Sequence, residues 1–185
     1  MVYHMLRLRS YGAEMAEVFL GLGSNLRSPA ENMREALTRI CDSVAVEKLS
    51  SLYRTEPVGL SEQPFFLNAV LAGHTDLGPH ELLENVSSVE QNMGRVRTIN
   101  MGPRTIDIDL LVYDDFIIDT PELTLPHPRM TERRFVLAPL VEIAPEFRPP
   151  GIPKTVSELL NELTCTESVE MVAHADWPAS DIEVR

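Results

Sequence analysis

An α+β protein, with a largely antiparallel sheet covered by helices in α/β/α layers, is what this 185-residue chain predicts. Three observations predict it. Short apolar runs of strand length alternate with amphipathic stretches of helix length. Their order over residues 18–113 reads β-α-β-β-α-β, the split βαβ or ferredoxin-like arrangement. The composition, 44% hydrophobic and 24% charged, suits one globular domain with a real core, and no apolar stretch approaches the ~20 residues of a membrane span.

The elements follow in order. Residues 1–17 read as an N-terminal extension without the apolar core of a signal peptide. Val18 to Leu22 form a buried strand ending in Gly23-Ser24-Asn25. Ser28 caps a helix with Pro29 at its first position, and Met33, Ala36, Leu37 and Ile40 supply its apolar stripe. Val44 to Tyr53 is β-like, and Phe65 to His74 is another strand. The loop 54–64 between them holds two prolines and a glycine, and a loop of that length is often functional. Gly78-Pro79 opens a second helix, with Leu82, Leu83, Val86 and Val89 on one face. Thr105 to Tyr113 is a strand, Asp114-Asp115 a turn, and Phe116 to Ile118 a returning hairpin partner. A short helix over 137–143 and a last one over 156–163 complete the main domain, 18–163. An acidic tail, 164–185, carries a candidate edge strand at 169–172.

Charge narrows the function. The net charge of −12 argues against a protein that coats nucleic acid. From Thr155 to Arg185 there are seven acids and one base, whereas Gln91 to Arg104 carries three arginines and no acid. A cationic segment in an acidic protein suits a small anion. Cys41 and Cys165 lie far apart without close Cys or His neighbours, so neither a disulfide scaffold nor a zinc site is expected, and a reducing cytoplasm fits.

The sharpest chemical feature is Thr105-Ile106-Asp107-Ile108-Asp109-Leu110-Leu111-Val112-Tyr113. In a strand, Ile106, Ile108, Leu110 and Val112 face the core. Asp107 and Asp109 share the opposite face, with Cα atoms roughly 6.5–7 Å apart. Two carboxylates that close repel unless something positive lies between them. Mg²⁺ bound to substrate phosphates would serve. The alternative is an edge strand made soluble by charge. Arg95, Arg97 and Arg104 lie just upstream on a glycine-punctuated segment, and their planar forks suit phosphate oxygens. His127, stiffened by flanking prolines, sits in a second basic cluster, either as a donor to a phosphate or as a structural hydrogen bonder. Gly21-Leu22-Gly23-Ser24-Asn25-Leu26 fails as a dinucleotide fingerprint at Leu26, and no P-loop string occurs. By residue type alone, Phe65, Phe66 and Phe135 belong to the core.

Several ordered strings resemble the 6-hydroxymethyl-7,8-dihydropterin pyrophosphokinase family. They are Gly-Leu-Gly-Ser-Asn at 21–25, Ser-Ser-Leu-Tyr-Arg-Thr-Glu-Pro-Val-Gly at 50–59, and Gln-Pro-x-Phe-Leu-Asn at 63–68. Further along come Gly-Arg-Val-Arg at 94–97, Gly-Pro-Arg-Thr-Ile-Asp-Ile-Asp at 102–109 and Leu-Pro-His-Pro-Arg-Met-x-x-Arg-x-Phe-Val-Leu-x-Pro-Leu at 125–140. The resemblance implies a folate-pathway transferase that moves the β,γ-diphosphoryl unit of ATP to the pterin hydroxymethyl oxygen and releases AMP. It implies that Asp107 and Asp109 ligate two Mg²⁺ ions, and that Arg95 and Arg104 close over the phosphates as catalytic cations. Glu90, Arg97, Leu110, Thr124, His127 and Arg133 match nucleotide contacts. Thr55, Pro57, Val58, Phe66, Asn68 and Phe135 match the pterin side, with Phe135 as stacking aromatic and Asn68 as ring-edge hydrogen bonder.

Three positions depart from some members: Asn100 for an arginine, Met101 for a tryptophan and Ser87 for a glutamine. They bear on how tightly the loops at 54–64 and 91–104, expected to be mobile when empty, close over substrate. The implied partners are ATP and the pterin, with no nucleic acid and no membrane, in a monomer or small homo-oligomer. Two rivals are a nucleotidyltransferase, which would release pyrophosphate, and an RNA-binding sheet, which needs exposed aromatics where this strand places aspartates.

Overall fold

The computed structural model describes residues 15–57, 63–95, 102–165 and 167–178. Its centre is a six-stranded sheet in the order β5-β1-β4-β3-β8, with β2 also paired to β4, and every pairing is antiparallel. The strands are β1 (Ala16–Ser24), β2 (Ala45–Leu49), β3 (Leu52–Thr55), β4 (Phe66–Thr75), β5 (Asp107–Tyr113) and β8 (Val169–Ala173). A small separate ribbon pairs β6 (Ile118–Asp119) with β7 (Thr124–Leu125). Among the described residues the α-helices are α1 (Pro29–Ile40), α2 (Pro79–Asn92), α3 (Arg134–Ile143) and α4 (Val156–Glu162).

Sequence periodicity builds a core on each face of the sheet. Met33, Ala36 and Ile40 of α1 and Leu82 and Val86 of α2 pack on Val18, Leu20, Leu22, Leu71, Ile106 and Ile108. On the other face, Leu137 and Leu140 of α3 and Val156 of α4 cover Phe19, Val70, Ala72, Leu111 and Val112. These are the expected α/β/α layers. The second cover is partial. It stops short of Gly21, Gly23, Asn68, Asp107 and Asp109, which line an open cleft at one end of the same face.

Four local expectations are corrected. The run 44–53 is two strands, because the ladder is interrupted at Ser50 and Ser51, although Ser50 N–H still donates to Val70 O. Ser50 Oγ accepts from Val70 N–H, while Ser51 N–H and Oγ both donate to the Glu142 carboxylate of α3. Val112 does not share a face with Ile108 and Leu110. A bulge opposite Phe19–Leu20 turns it to the α3 side and brings Tyr113 to the α1/α2 side. Phe116 to Ile118 does not return along β5. Ile118 pairs with Leu125, and Phe116 packs edge-on against Tyr113 with ring centroids 5.4 Å apart. Ser28 precedes α1, but its side chain makes no capping bond; its carbonyl accepts from Asn32 N–H.

Residues 169–173 form the expected edge strand, on β3, with Thr55 opposite Val169. Beyond it, Trp177 is fully buried and its Nε1 donates to Ser50 O at 3.1 Å.

Candidate active site

The floor of the cleft is backbone. Gly23 lies between Asn68 of β4 and Asp107 of β5 in one cross-strand row, and Gly21 between Val70 and Asp109 in another. A Cβ at Gly23 would stand 2.9 Å from Asn68 Oδ1. Glycine there leaves room that any side chain would fill. Asn68 is held in place by donating to Thr55 Oγ1 at 2.8 Å, which leaves its Oδ1 as an acceptor.

Two adjoining cavities open on this floor. The larger, of about 710 Å³, is lined by Thr55, Phe66, Asn68 and Phe135, and also by Arg95, Arg104, Arg129, Arg133 and His127. The smaller, of about 260 Å³, is lined by Glu90, Leu110, Thr124 and Ser87 among others. Arg95, Asp107, Asp109 and His127 line both. β5 stands at the edge of the sheet order, yet its two carboxylates face arginines rather than open water. Arg95 Nη2 lies 2.7 Å from Asp107 Oδ1, Arg104 holds Asp107 Oδ2, and Arg133 Nη1 lies 3.3 Å from Asp109 Oδ2.

These cations are themselves positioned. Arg95 follows α2 directly, and the buried Glu90 of that helix pairs with it. The same Glu90 oxygen accepts from Ile108 N–H at 2.7 Å, so it ties α2 to β5 as well. Arg104 is fixed through its backbone: its N–H donates to Asn25 Oδ1 at 2.8 Å, and Asn25 N–H donates to its carbonyl. Asn25 also reaches Gln63 and Pro64 with its Nδ2, each at 3.3 Å. His127 N–H donates to Leu111 O at 2.8 Å, which pins the proline-flanked turn to β5.

Crowding of charge shifts several groups. Burial, then the neighbouring Asp107, pushes the Asp109 carboxyl above the usual range, against the pull of His127, Arg133 and Arg104. Burial pushes His127 down, and Arg133 and Arg129 add to that against Asp109. Burial pushes Glu90 up despite the Ile108 amide and Arg95. A cleft with paired carboxylates and several arginines suits a ligand that brings both negative oxygens and a cation.

Of the residues expected at the site, Thr55, Phe66, Asn68, Glu90, Arg95, Arg104, Asp107, Asp109, Leu110, Thr124, His127, Arg133 and Phe135 line one or both cavities. Pro57 lines neither. Val58 and Arg97 lie outside the described residues, as do Asn100 and Met101. Phe65 is not core: the residue is 55% exposed, with the Arg54 guanidinium 5.5 Å from its ring centroid. Sequence reasoning missed Glu56, Arg129, Glu132 and Glu167 on the larger cavity's wall. Arg129 stands inside a string already singled out, whereas Glu167 sits in a segment with no motif.

A ferredoxin-like sheet that opens such a cleft, with paired carboxylates facing arginine forks, defines a phosphoryl-transfer enzyme. The family model described as 7,8-dihydro-6-hydroxymethylpterin-pyrophosphokinase (HPPK) matches residues 19–145. The chain belongs to this family, whose enzymes transfer a pyrophosphoryl group from ATP to hydroxymethyldihydropterin in folate synthesis.

It is 44% identical over 127 residues to the 2-amino-4-hydroxy-6-hydroxymethyldihydropteridine pyrophosphokinase of Bacillus subtilis, covering 68% of this chain and 76% of that protein. The enzyme of that name from Synechocystis is 37% identical over 163 residues, covering 87% and 79%. A mitochondrial folate synthesis bifunctional protein of Arabidopsis thaliana is 46% identical over 128 residues, 69% of this chain but 23% of that one. The chain thus spans under a quarter of that bifunctional relative. Among solved structures, wild-type Plasmodium falciparum HPPK-DHPS superposes with a TM-score of 0.68 at 16% identity, over 83% of this chain and 45% of that one; this likeness concerns the fold. Among the described residues no helix is long and apolar enough to cross a membrane.

Proposed function

We propose that this chain binds ATP and 6-hydroxymethyl-7,8-dihydropterin in the two adjoining cavities and moves the β,γ-diphosphoryl unit from one to the other across Asp107 and Asp109. One observation carries the reading: both cavities share Arg95, Asp107, Asp109 and His127, and only the larger adds the aromatic and amide groups Phe66, Asn68 and Phe135. The smaller cavity, with Leu110 and Thr124, suits the nucleoside end. The larger takes the flat pterin against Phe135 with its polar edge toward Asn68 and Thr55.

The residues present fit magnesium brought in with phosphate. Among the described residues no third carboxylate, His or Cys completes a metal cluster. Two carboxylates suit an ion that fills its shell with water and phosphate oxygens. Asp107 and Asp109 would hold it, and we expect two ions. When bound, the metal offsets phosphate charge and makes the alcohol a better nucleophile.

The protein's own groups do the rest. Arg95 and Arg104, now paired with Asp107, are placed to transfer their forks to the phosphate oxygens. Glu90 and Asn25 set where those forks start. His127 and Arg133 hold the nucleotide phosphates, Phe135 orients the ring, and the alcohol oxygen attacks the β-phosphorus in line while AMP leaves. Positioning and fixed charge supply most of the rate. The expectations of a cytoplasmic enzyme and of a monomer or small homo-oligomer stand beside this reading.

The test is AMP release from Mg-ATP with and without the pterin. Pterin-dependent AMP supports the proposal. A folded protein that binds ATP and makes no pterin-dependent AMP overturns it, and pyrophosphate as product would favour a nucleotidyltransferase.

A further inference from the structure

Glu167 stands on the wall of the larger cavity, and its Oε2 is buried without a hydrogen-bond partner among the described residues. A buried carboxylate oxygen left without a donor is costly. Its position shows which donor can reach it. Thr55 pairs with Val169, the first residue of β8, and Glu167 lies two residues before it. It therefore stands at the entry to β8, which is at the opposite edge of the sheet from β5. Four strand spacings of ~4.8 Å separate those edges, roughly 19 Å at the backbone. That is too far for Glu167 to join Asp107 and Asp109 around one ion. From the Asn68 strand to β8 the same count gives roughly 10 Å, room for a flat bicyclic ring with side chains reaching in from both sides.

We infer that Glu167 is a specificity-determining residue that accepts hydrogen bonds from the N–H edge of the heterocyclic substrate. This deepens the pterin reading and rests on it. An ionised carboxylate only accepts, and a 2-amino-4-oxo ring carries adjacent amine and amide N–H donors. Asn68 presents its Oδ1 to the same cavity because its Nδ2 is engaged by Thr55. The two acceptors together favour a donor-rich edge and disfavour a ring that lacks the amine.

The experiment compares wild type, Glu167→Ala and Glu167→Gln by fluorescence titration. The ligands are 6-hydroxymethylpterin and its analogue without the 2-amino group, each with a non-hydrolysable ATP analogue present. Wild type is expected to prefer the amino compound by about tenfold or more, the size of a charge-assisted hydrogen bond. Glu167→Ala is expected to bind the amino compound about tenfold more weakly and to lose the preference. Glu167→Gln should show the same loss in smaller measure, and decides the matter if the alanine variant does not fold. Affinity for the ATP analogue should stay within about twofold, which a general structural defect would not allow. Folded variants that keep the wild-type preference overturn the Glu167 assignment and leave the pterin reading standing. A wild type that binds no pterin overturns both.

Discussion

Asp107 answers to three constraints at once. Arg95 and Arg104 grip its two oxygens, and Gly23 is its neighbour in the cross-strand row. Asp109, two residues on, pairs with Arg133 and stands beside His127. Removing Asp109 should leave the sheet intact, since its side chain contributes nothing to either apolar core. On the proposed reading, its carboxylate is needed to hold metal and phosphate. Asp109→Ala is therefore expected to keep wild-type circular dichroism and to lose at least about a hundredfold in kcat; near-normal turnover with magnesium would remove it from the site. Gly23→Ala tests the floor. Its methyl would push Asn68 off the position that Thr55 holds, so the KM for the pterin should rise about tenfold, the worth of one hydrogen bond, while the KM for ATP stays put. What local spacing made legible was the shared face of Asp107 and Asp109 and the arginines just upstream, because strand alternation depends on nearest neighbours; His127 aside, the other candidate lining residues came only through the family resemblance. What sequence did not show was that Glu90 braces Arg95. A glutamate in the last turn of an amphipathic helix looks like a solvated face until the fold buries it.

Elements were legible where their periodicity was undisturbed. β1, α1, β4 and α2 lie within two residues of where strand and helix patterns put them. The errors fall where side chains outbid the ladder. Ser50 and Ser51 split one expected strand into two through Val70 and Glu142, and the bulge in β5 turns Val112 over. Glu142 also accepts from Tyr53 OH, and burial together with that carboxylate pushes the phenol well above its ordinary range. The last helix shows what a proper cap contributes. Thr155 Oγ1 accepts from Glu158 N–H while the Glu158 carboxylate accepts from Thr155 N–H. Thr155→Ala should cost about 1 kcal/mol in urea unfolding at neutral pH. The Thr155 amide holds the Glu158 carboxyl below its usual range. Its contribution is thus present above the unfolded pKa of about 4.3 and is lost as the pH falls through the lower folded value. Wild type and Glu158→Gln should differ in urea midpoint at pH 7 and converge in strong acid; a gap that persists in acid would assign the effect to packing.

At the scale of the whole molecule, the chain is closed by a segment that carries no recognisable motif. β8 covers the edge of β3, and Trp177, the protein's one tryptophan, plugs the α1/α2 core with its indole N–H on Ser50 O. Composition hid this, because an acidic stretch with one aromatic reads as solvated. Trp177→Ala is expected to lose about 3–5 kcal/mol, a large part of the ~5–15 kcal/mol typical of a domain, as a lower urea midpoint by far-ultraviolet circular dichroism. A loss under about 1 kcal/mol would mean that the segment rests on the domain without stabilising it. The same closure brings Glu167 to the cleft, so this segment lines the larger cavity as well as filling the core.

The backbone floor at Gly21 and Gly23 has a consequence for inhibition. A competitive inhibitor whose ring lies on those glycines rests on atoms that no point mutation can remove. A resistance substitution at Gly23 would have to add a side chain, and that side chain would displace Asn68 and obstruct the enzyme's own substrate. Escape would then have to come from Gly21, where an added Cβ would meet the Leu111 side chain at 3.5 Å, an ordinary contact, or from walls such as Phe66 or Glu167. Compounds that draw their affinity from the floor should therefore select fewer viable escape mutants than compounds that lean on the walls.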